Sequence, residues 1–380
     1  MFRRYAVLAA GLALALIAVV PAQAKQSNAA SSKILKIAVI DAEGGAASVI
    51  LTPEGKSIVI DTGVPPNFGH RRANEGGPPQ ESTPDRIVAA AKAMGITKID
   101  YLIVTHYHLD HVGGAPALVK MMPVDTFVDH GPNRETTPSS APAWRQAIDP
   151  ARYYPDWVAL YQGHRHISIH VGQTLKVGSL HIQFVTSDGK VLKTPLPGAG
   201  EPNPLCMNVP QKPDTYAANG GEENARSLGM LMTFGKTRIL DLGDLTWNKE
   251  LELLCPVNKV GKVDLYYVTG HGMDLSSSPP TAAFDPLVAV MQNGARKGGD
   301  PSVVRTVDGF PELEGFWRLH ASARYPDMDG DPHYIANLNG EPDHGYPIDI
   351  DITGDGKITV TNPRNSFTRT YRARGTGAGY

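Results

Sequence analysis

Between Thr105 and His111 the chain reads Thr-His-Tyr-His-Leu-Asp-His, and Gly113-Gly114 follow closely. Imidazoles and carboxylates crowded this tightly are divalent-metal ligands, and they are costly to bury with nothing to hold. Only two cysteines, Cys206 and Cys255, are present. Two thiols are too few for a thiolate site, so imidazole and carboxylate must carry any metal. On a helix His106 and His108 point apart, and on a strand Asp110 and His111 face opposite sides, so the four converge only from a loop. Ile99 to Val104 just upstream reads as a short buried strand. The loop therefore sits at a strand's C-terminal end, where open α/β sheets place their ligands.

Three more acid or imidazole groups follow β-rich segments and lie beside glycine, which lets backbone approach a ligand closely. They are Asp61 in Asp61-Thr62-Gly63, Asp244 after Gly243, and His271 between Gly270 and Gly272. Taken singly, each has a plainer reading: Asp244 as the N-cap of a helix, His271 as a loop histidine, Asp61 as a turn residue bonding its own backbone. Taken with the histidine loop, that many nitrogen and oxygen ligands suit a two-metal hydrolytic centre. Such a centre needs a bridging carboxylate, terminal imidazoles and a shared water.

Stepping outward, residues 34–40, 47–51 and 57–60 read as a β-meander, followed by a Gly/Pro loop over 64–83. Ser82-Thr83-Pro84-Asp85 predicts a helix start, with the helix over 85–94. A short helix over 113–121 and a strand over 124–128 come after the histidine loop. The pattern weakens over 130–223, which reads as a loop-rich insertion. It holds a helical stretch over 141–162, a hairpin over 174–185 and a long loop over 195–221 of the kind that walls active sites. A hairpin (227–234 and 237–242), a helix over 247–254 and strands over 263–268 and 287–291 follow. A helix near 333–338 and a final hairpin over 348–360 complete the pattern. Strands alternate with helices, so the class is α/β. Asp351-Ile-Thr353-Gly-Asp355-Gly partly fits a calcium loop, but Asn362 stands where a bidentate Glu is needed; the flanking alternation of isoleucines predicts a hairpin instead. Asp327 to Asp331 reads as an acidic loop leading into the helix near His333.

Residues 1–24 have the form of an export signal: Arg3 and Arg4, an apolar run over 5–20, then Ala22-Gln23-Ala24 as a cleavage site. The expectation is a mature protein of residues 25–380, periplasmic or secreted; an uncleaved anchor is the alternative. Removing Arg3 and Arg4 from the 36 basic residues leaves 34 against 38 acidic ones. No bulk basic field recruits nucleic acid or anionic lipid, and no later apolar run is long enough to span a bilayer. In an exported chain Cys206 and Cys255 can pair, but sequence leaves open whether they meet. Arg71/Arg72 and Arg296/Lys297 are phosphate contacts or solvated charge, and solvated charge is the expectation.

The motif His-x-His-x-Asp-His, the later Leu-Gly-Asp ending at Asp244 and the Thr-Gly-His-Gly around His271 resemble, in this order, the ligand positions of the metallo-β-lactamase superfamily. The resemblance implies a four-layer αββα sandwich. It assigns His106 and His108 to metal one, Asp110, His111 and His271 to metal two, Asp244 to the bridge, and Asp61 to bracing a histidine from behind. It further implies two divalent ions, zinc being expected and manganese an alternative, and a metal-bridging hydroxide as nucleophile, with Asp110 orienting it or taking its proton. The stretches 224–245 and 270–278 resemble the hydrolase domain of ComEC-type DNA-uptake proteins and its secreted relatives. That favours a phosphodiester, as a small molecule or an oligonucleotide, over an ester, lactone or lactam. A non-catalytic metal-binding protein is the competing reading. One departure stands out. The superfamily's third histidine for metal one is missing, and Asn224 falls near its place. An amide oxygen is a weaker zinc ligand than imidazole, which makes metal one the labile site. His164, His166, His170 and His181 are substitutes, though none lies where the family puts the ligand.

Overall fold

Strand residues alternate between two faces, so a chain with apolar groups at both parities must bury both sides of its sheets. In Ile34–Val39, Leu35, Ile37 and Val39 enter one core, while Ala38 and the following Ile40 enter another. The computed structural model describes residues 1–2, 33–66, 68, 81–135, 140–212, 222–341 and 344–375. Residues 3–24 of the predicted export signal and Arg71/Arg72 lie outside the described residues.

Among those residues there are two nine-stranded sheets. The first runs Phe367–Arg372, Lys357–Asn362, Ile348–Thr353, Ile34–Val39, Ser48–Leu51, Ser57–Ile60, Ile99–Ile103, Val124–Asp129, Arg165–Ser168. Its last four strands are parallel. The second runs Ile335–Asn337, Gly315–His320, Val288–Met291, Leu265–Tyr267, Thr237–Asp241, Gly229–Phe234, Leu180–Ser187, Thr174–Val177, with Lys190–Val191 paired to Leu180–Ser187. Its first five strands are parallel.

Three hydrophobic cores separate four layers. Between the sheets lie Ile37, Ile58, Ile103, Phe184, Met230, Ile239 and Trp317. On the outer face of the first sheet, Val59, Leu102 and Phe127 meet Ile87 and Ala91 of Thr83–Ala93, Leu118 of Ala115–Met121 and Trp157 of Pro150–Leu160. On the outer face of the second, Leu231, Leu240 and Tyr266 meet Leu253 and Leu254 of Trp247–Leu254 and Val303 and Val307 of Pro301–Asp308. This is the αββα sandwich. The predicted start of the first long helix holds: Ser82 Oγ accepts from the Asp85 N–H and Asp85 Oδ2 from the Ser82 N–H at 3.1 Å. Trp157 is fully buried and donates from Nε1 to Asp129 Oδ2 at 2.8 Å. Trp157→Ala should cost about 3–5 kcal/mol of stability in urea titration, because it leaves a cavity and removes one of the donors to buried Asp129.

Four expectations change. Residues 130–223 do more than loop out: Arg165–Ser168 forms an edge of the first sheet, and the predicted hairpin, Thr174–Val177 with Leu180–Ser187, extends the second to its edge. The helix near His333 is only a 3-10 turn, Pro332–Tyr334, because Ile335–Asn337 is drawn into a ladder with Gly315–His320. The helix Pro301–Asp308 and the strand Gly315–His320 had no counterpart in the sequence reading. The C-terminal hairpin, with Ile350 opposite Val360, gains a third strand, Phe367–Arg372. Asp355 at its turn pairs with Arg372 Nη1 at 2.9 Å, as expected for a hairpin rather than a calcium loop.

Candidate metal centre

The parallel parts of both sheets deliver their C-terminal ends to one place. Asp61 follows Ser57–Ile60, the histidine loop follows Ile99–Ile103, Asp244 follows Thr237–Asp241, and His271 follows Leu265–Tyr267. His106 and His108 stand on extended chain, but Asp110 and His111 lie on a single helical turn, Leu109–Val112. The loop therefore begins to coil before its last two ligands. The glycines behind it allow a tight fit: a Cβ on Gly114 would stand 2.2 Å from the Thr62 carbonyl oxygen. The bare backbone lets the Asp61-Thr62-Gly63 turn dock, with the Gly114 N–H on the Gly63 carbonyl at 3.0 Å and the Thr62 N–H on that of His111 at 2.7 Å.

Each of the four histidines has its outward nitrogen tied. His111 Nδ1 meets Asp61 Oδ2 at 2.7 Å, and His271 Nδ1 meets the Gln292 carbonyl at 2.9 Å. His108 Nε2 faces Glu135 Oε2 at 3.5 Å. His106 Nδ1 lies 3.1 Å from Thr105 Oγ1, whose own hydrogen goes to Asp61 Oδ2 at 2.7 Å, so the hydroxyl oxygen accepts from the imidazole. A tied, protonated outer nitrogen leaves the inner one with a lone pair. Those inner nitrogens face one another: His106 Nε2 and His108 Nδ1 at 3.0 Å, His111 Nε2 and His271 Nε2 at 3.1 Å. Opposed lone pairs at that separation repel unless a proton or a cation lies between them.

The carboxylates complete the set. Asp110 Oδ2 and Asp244 Oδ1 each lie 3.2 Å from His271 Nε2, and 3.5 and 3.4 Å respectively from His111 Nε2. Donor atoms of Asp110, His111, Asp244 and His271 all fall within 4.8 Å of one another. The His106 ring adjoins that of His111, their centroids 4.0 Å apart, so the two imidazole pairs are neighbours. Asn224 is buried in the turn Asn224–Arg226, and among the described residues its Oδ1 has no hydrogen-bond donor. Ser227, next to that turn, brings its Oγ within 3.4 Å of His106 Nδ1. The donor set fits divalent ions, and the turn that carries the orphaned amide oxygen leads into Ser227, which touches His106. The substitutes fall elsewhere: His166 pairs with Asp129 at 2.8 Å, His164 packs against Phe127, His170 is exposed, and His181 lies in Leu180–Ser187, next to the edge of the second sheet.

Charge reinforces the geometry. Burial opposes ionisation of Asp244, yet His271 and His111 hold its carboxyl well below the usual range. Burial likewise opposes Asp110, which Lys297 and His111 also hold well below. Burial, with His111 and His108 as neighbours, pushes His106 well below an ordinary imidazole, while His111 rises well above despite burial because of Asp244 and Asp61. The site is thus divided between acid-rich and acid-poor halves.

Several of these anchors were invisible in the sequence reading: Glu135, Thr105, Ser227 and the Gln292 carbonyl. Glu135 also accepts the Glu223 N–H at 2.7 Å, and Glu223 in turn holds the Tyr107 N–H at 3.2 Å and His130 Nε2 at 2.9 Å. A buried acid chain therefore runs behind His108. Glu135→Ala should weaken metal retention at the His106/His108 pair by about 10–100-fold, measured by chelator competition.

Residues 41–194 match the family model described as "Metallo-beta-lactamase superfamily". The chain has the hydrolase fold of that superfamily. The match begins after Ile34–Val39 and covers Ser48–Leu51, Ser57–Ile60 and the whole histidine loop, while Asp244 and His271 lie beyond it. Solved structures of the superfamily resemble it at low identity. The metallo-beta-lactamase fold protein YhfI from Bacillus subtilis is 13% identical, with a TM-score of 0.41 over 75% of this chain and 96% of that one. A metal-dependent hydrolase of the beta-lactamase superfamily is 10% identical, with a TM-score of 0.41 over 76% and 97%. A diphosphatase from the PhnP family is 12% identical, with a TM-score of 0.37 over 84% and 98%. No curated protein matches the chain.

Proposed function

We propose that this chain is an exported metal-dependent hydrolase of phosphodiesters. The observation that carries the reading is the set of four imidazoles, each tied at its outer nitrogen and aimed inward beside two buried carboxylates. His106 and His108 would hold one divalent ion and Asp110, His111 and His271 a second, with Asp244 between them and Asn224 as a weak further donor. Zinc or manganese so held would supply Lewis acidity and water of lowered pKa. The chain's own groups then have distinct tasks. Asp61, Thr105, Glu135 and the Gln292 carbonyl keep the imidazoles in the tautomers that point inward. Asp110 Oδ2, ionised and at the partly open side of the site, orients the attacking water or takes its proton.

The phosphodiester class is favoured by the stretches 224–245 and 270–278, which resemble the ComEC-type hydrolase domain. Export is favoured by the signal-like residues 1–24 and by the disulfide joining Cys206 to Cys255. Such bonds persist in oxidising compartments. Among the described residues no helix is long and apolar enough to cross a membrane. Protein recovered from outside the cytoplasm should begin at Lys25 by N-terminal sequencing. For the activity, the metal-loaded protein is assayed on a chromogenic phosphodiester beside a chromogenic cephalosporin. Turnover of the diester alone supports the reading; turnover of the cephalosporin alone transfers the site to lactam hydrolysis. Failure on both with metal bound leaves the non-catalytic metal-binding protein.

A further inference from the structure

We infer that Lys297 is the cation that anchors the substrate's negative charge at this site; this deepens the phosphodiester reading and rests on it for the identity of the anion. The residue is built into the centre from three sides. It sits in the loop after Val288–Met291, the strand whose next residue, Gln292, holds His271 Nδ1 through its carbonyl at 2.9 Å. The loop closes on itself through the Gly294 N–H and the Lys297 carbonyl at 2.9 Å. It rests on the His271 carbonyl through the Gly299 N–H at 3.3 Å. The backbone that aims the last histidine thus also carries Lys297.

The stem is guided as well. A Cβ on Gly44, at φ +88°, would stand 3.1 Å from Lys297 Cβ and 3.3 Å from Cδ, so the glycine makes room for the aliphatic chain. Residues 41–45 are fixed in turn. Asp41 Oδ1 accepts the Glu43 N–H at 3.0 Å and faces His320 Nε2 at 2.7 Å, while Asp41 Oδ2 pairs with Arg86 Nη1 at 2.9 Å. The same segment grips the histidine loop: the Ala46 N–H bonds the Asp110 carbonyl at 3.0 Å. At the far end, Lys297 Nζ hydrogen-bonds Asp110 Oδ2, and its side chain keeps 33% exposure against 20% for Asp110. The ammonium therefore reaches from solvent to a carboxylate of the centre.

An ammonium has three donors, and Asp110 takes one. A cation placed there, beside the acid assigned to the attacking water, suits a non-bridging phosphoryl oxygen and finds no anionic oxygen on a neutral ester in its ground state. Lysine acts on phosphate as a point charge, so arginine at the same place should serve in part.

The test uses the full metal-loaded chain, with Lys297→Met, which keeps the stem packed on Gly44, and Lys297→Arg. Inorganic phosphate binding is measured by titration calorimetry, and bound metal by mass spectrometry. Steady-state constants are taken on bis(p-nitrophenyl) phosphate and neutral p-nitrophenyl acetate. In Lys297→Met the phosphate Kd and the diester KM should each rise about tenfold, with metal content and acetate KM unchanged and Lys297→Arg partly restoring both. Unchanged phosphate binding in Lys297→Met, no phosphate binding by the unaltered protein, or an equal loss on both substrates would overturn the assignment. If the unaltered protein cleaves no diester yet phosphate binding depends on Lys297, the anchor stands and the phosphodiester reading falls.

Discussion

Asp244→Ala is expected to lower kcat for any ester this site hydrolyses by about 10²–10³-fold or more, the scale on which preorganised electrostatic partners act. Asp244 is 4% exposed, and its Oδ1 lies 3.2 Å from His271 Nε2 and 3.4 Å from His111 Nε2. Removing it leaves two inward-facing imidazoles with only the more open Asp110 opposite them. The variant should also lose bound metal, which mass spectrometry reads independently of turnover. Asp244→Asn keeps the shape and removes the charge. It should fail nearly as badly, since the carboxylate's anionic form is what His271 and His111 favour. Turnover that survives both variants would remove Asp244 from the centre.

Asp61→Ala should weaken metal binding by about 10–100-fold through its effect on His111. It should also cost about 2–4 kcal/mol of stability, because buried donors lose their acceptor. Asp61 Oδ1 accepts the Thr105 N–H at 2.7 Å, and Oδ2 takes Thr105 Oγ1 and His111 Nδ1, each at 2.7 Å. It does so from a backbone φ of +57°, a conformation costly for a residue with a Cβ and kept where surrounding bonds over-determine it. Asp61→Gly separates the two effects: it relieves the backbone but not the lost acceptor. Chelator competition should therefore place it with Asp61→Ala, while chemical denaturation should show it less destabilised.

The chemistry was legible in the sequence wherever it rests on side chains packed close along the chain or on strand ends marked by glycine. His106, His108, Asp110 and His111 announce themselves by spacing. Asp61, Asp244 and His271 are recognisable because each follows an apolar strand. What ties these groups in place was not legible. The Gln292 carbonyl that holds His271 is backbone and has no side-chain signature. Glu135 lies in a stretch of Gly, Pro and Thr with no periodicity, and only the fold brings it behind His108. Lys297 read as solvated charge because its partner, Asp110, is distant in sequence. The same limit applies to the fold. Apolar strands buried on both faces, such as Ile99–Ile103, were clear. The hairpin begun by Thr174–Val177 was clear from its turn, but Arg165–Ser168, half-exposed at a sheet edge, lacks the patterning that two buried faces impose.

Four inward-aimed imidazoles and two carboxylates are proposed to form a two-metal centre. Anomalous X-ray diffraction from crystals of the mature protein grown with zinc, recorded on both sides of the zinc edge, tests it most directly. Two peaks are expected, one against His106 and His108 and the other among Asp110, His111 and His271, with Asp244 reaching both and the first peak weaker. Zinc bound elsewhere on the chain, with neither position occupied, would contradict it.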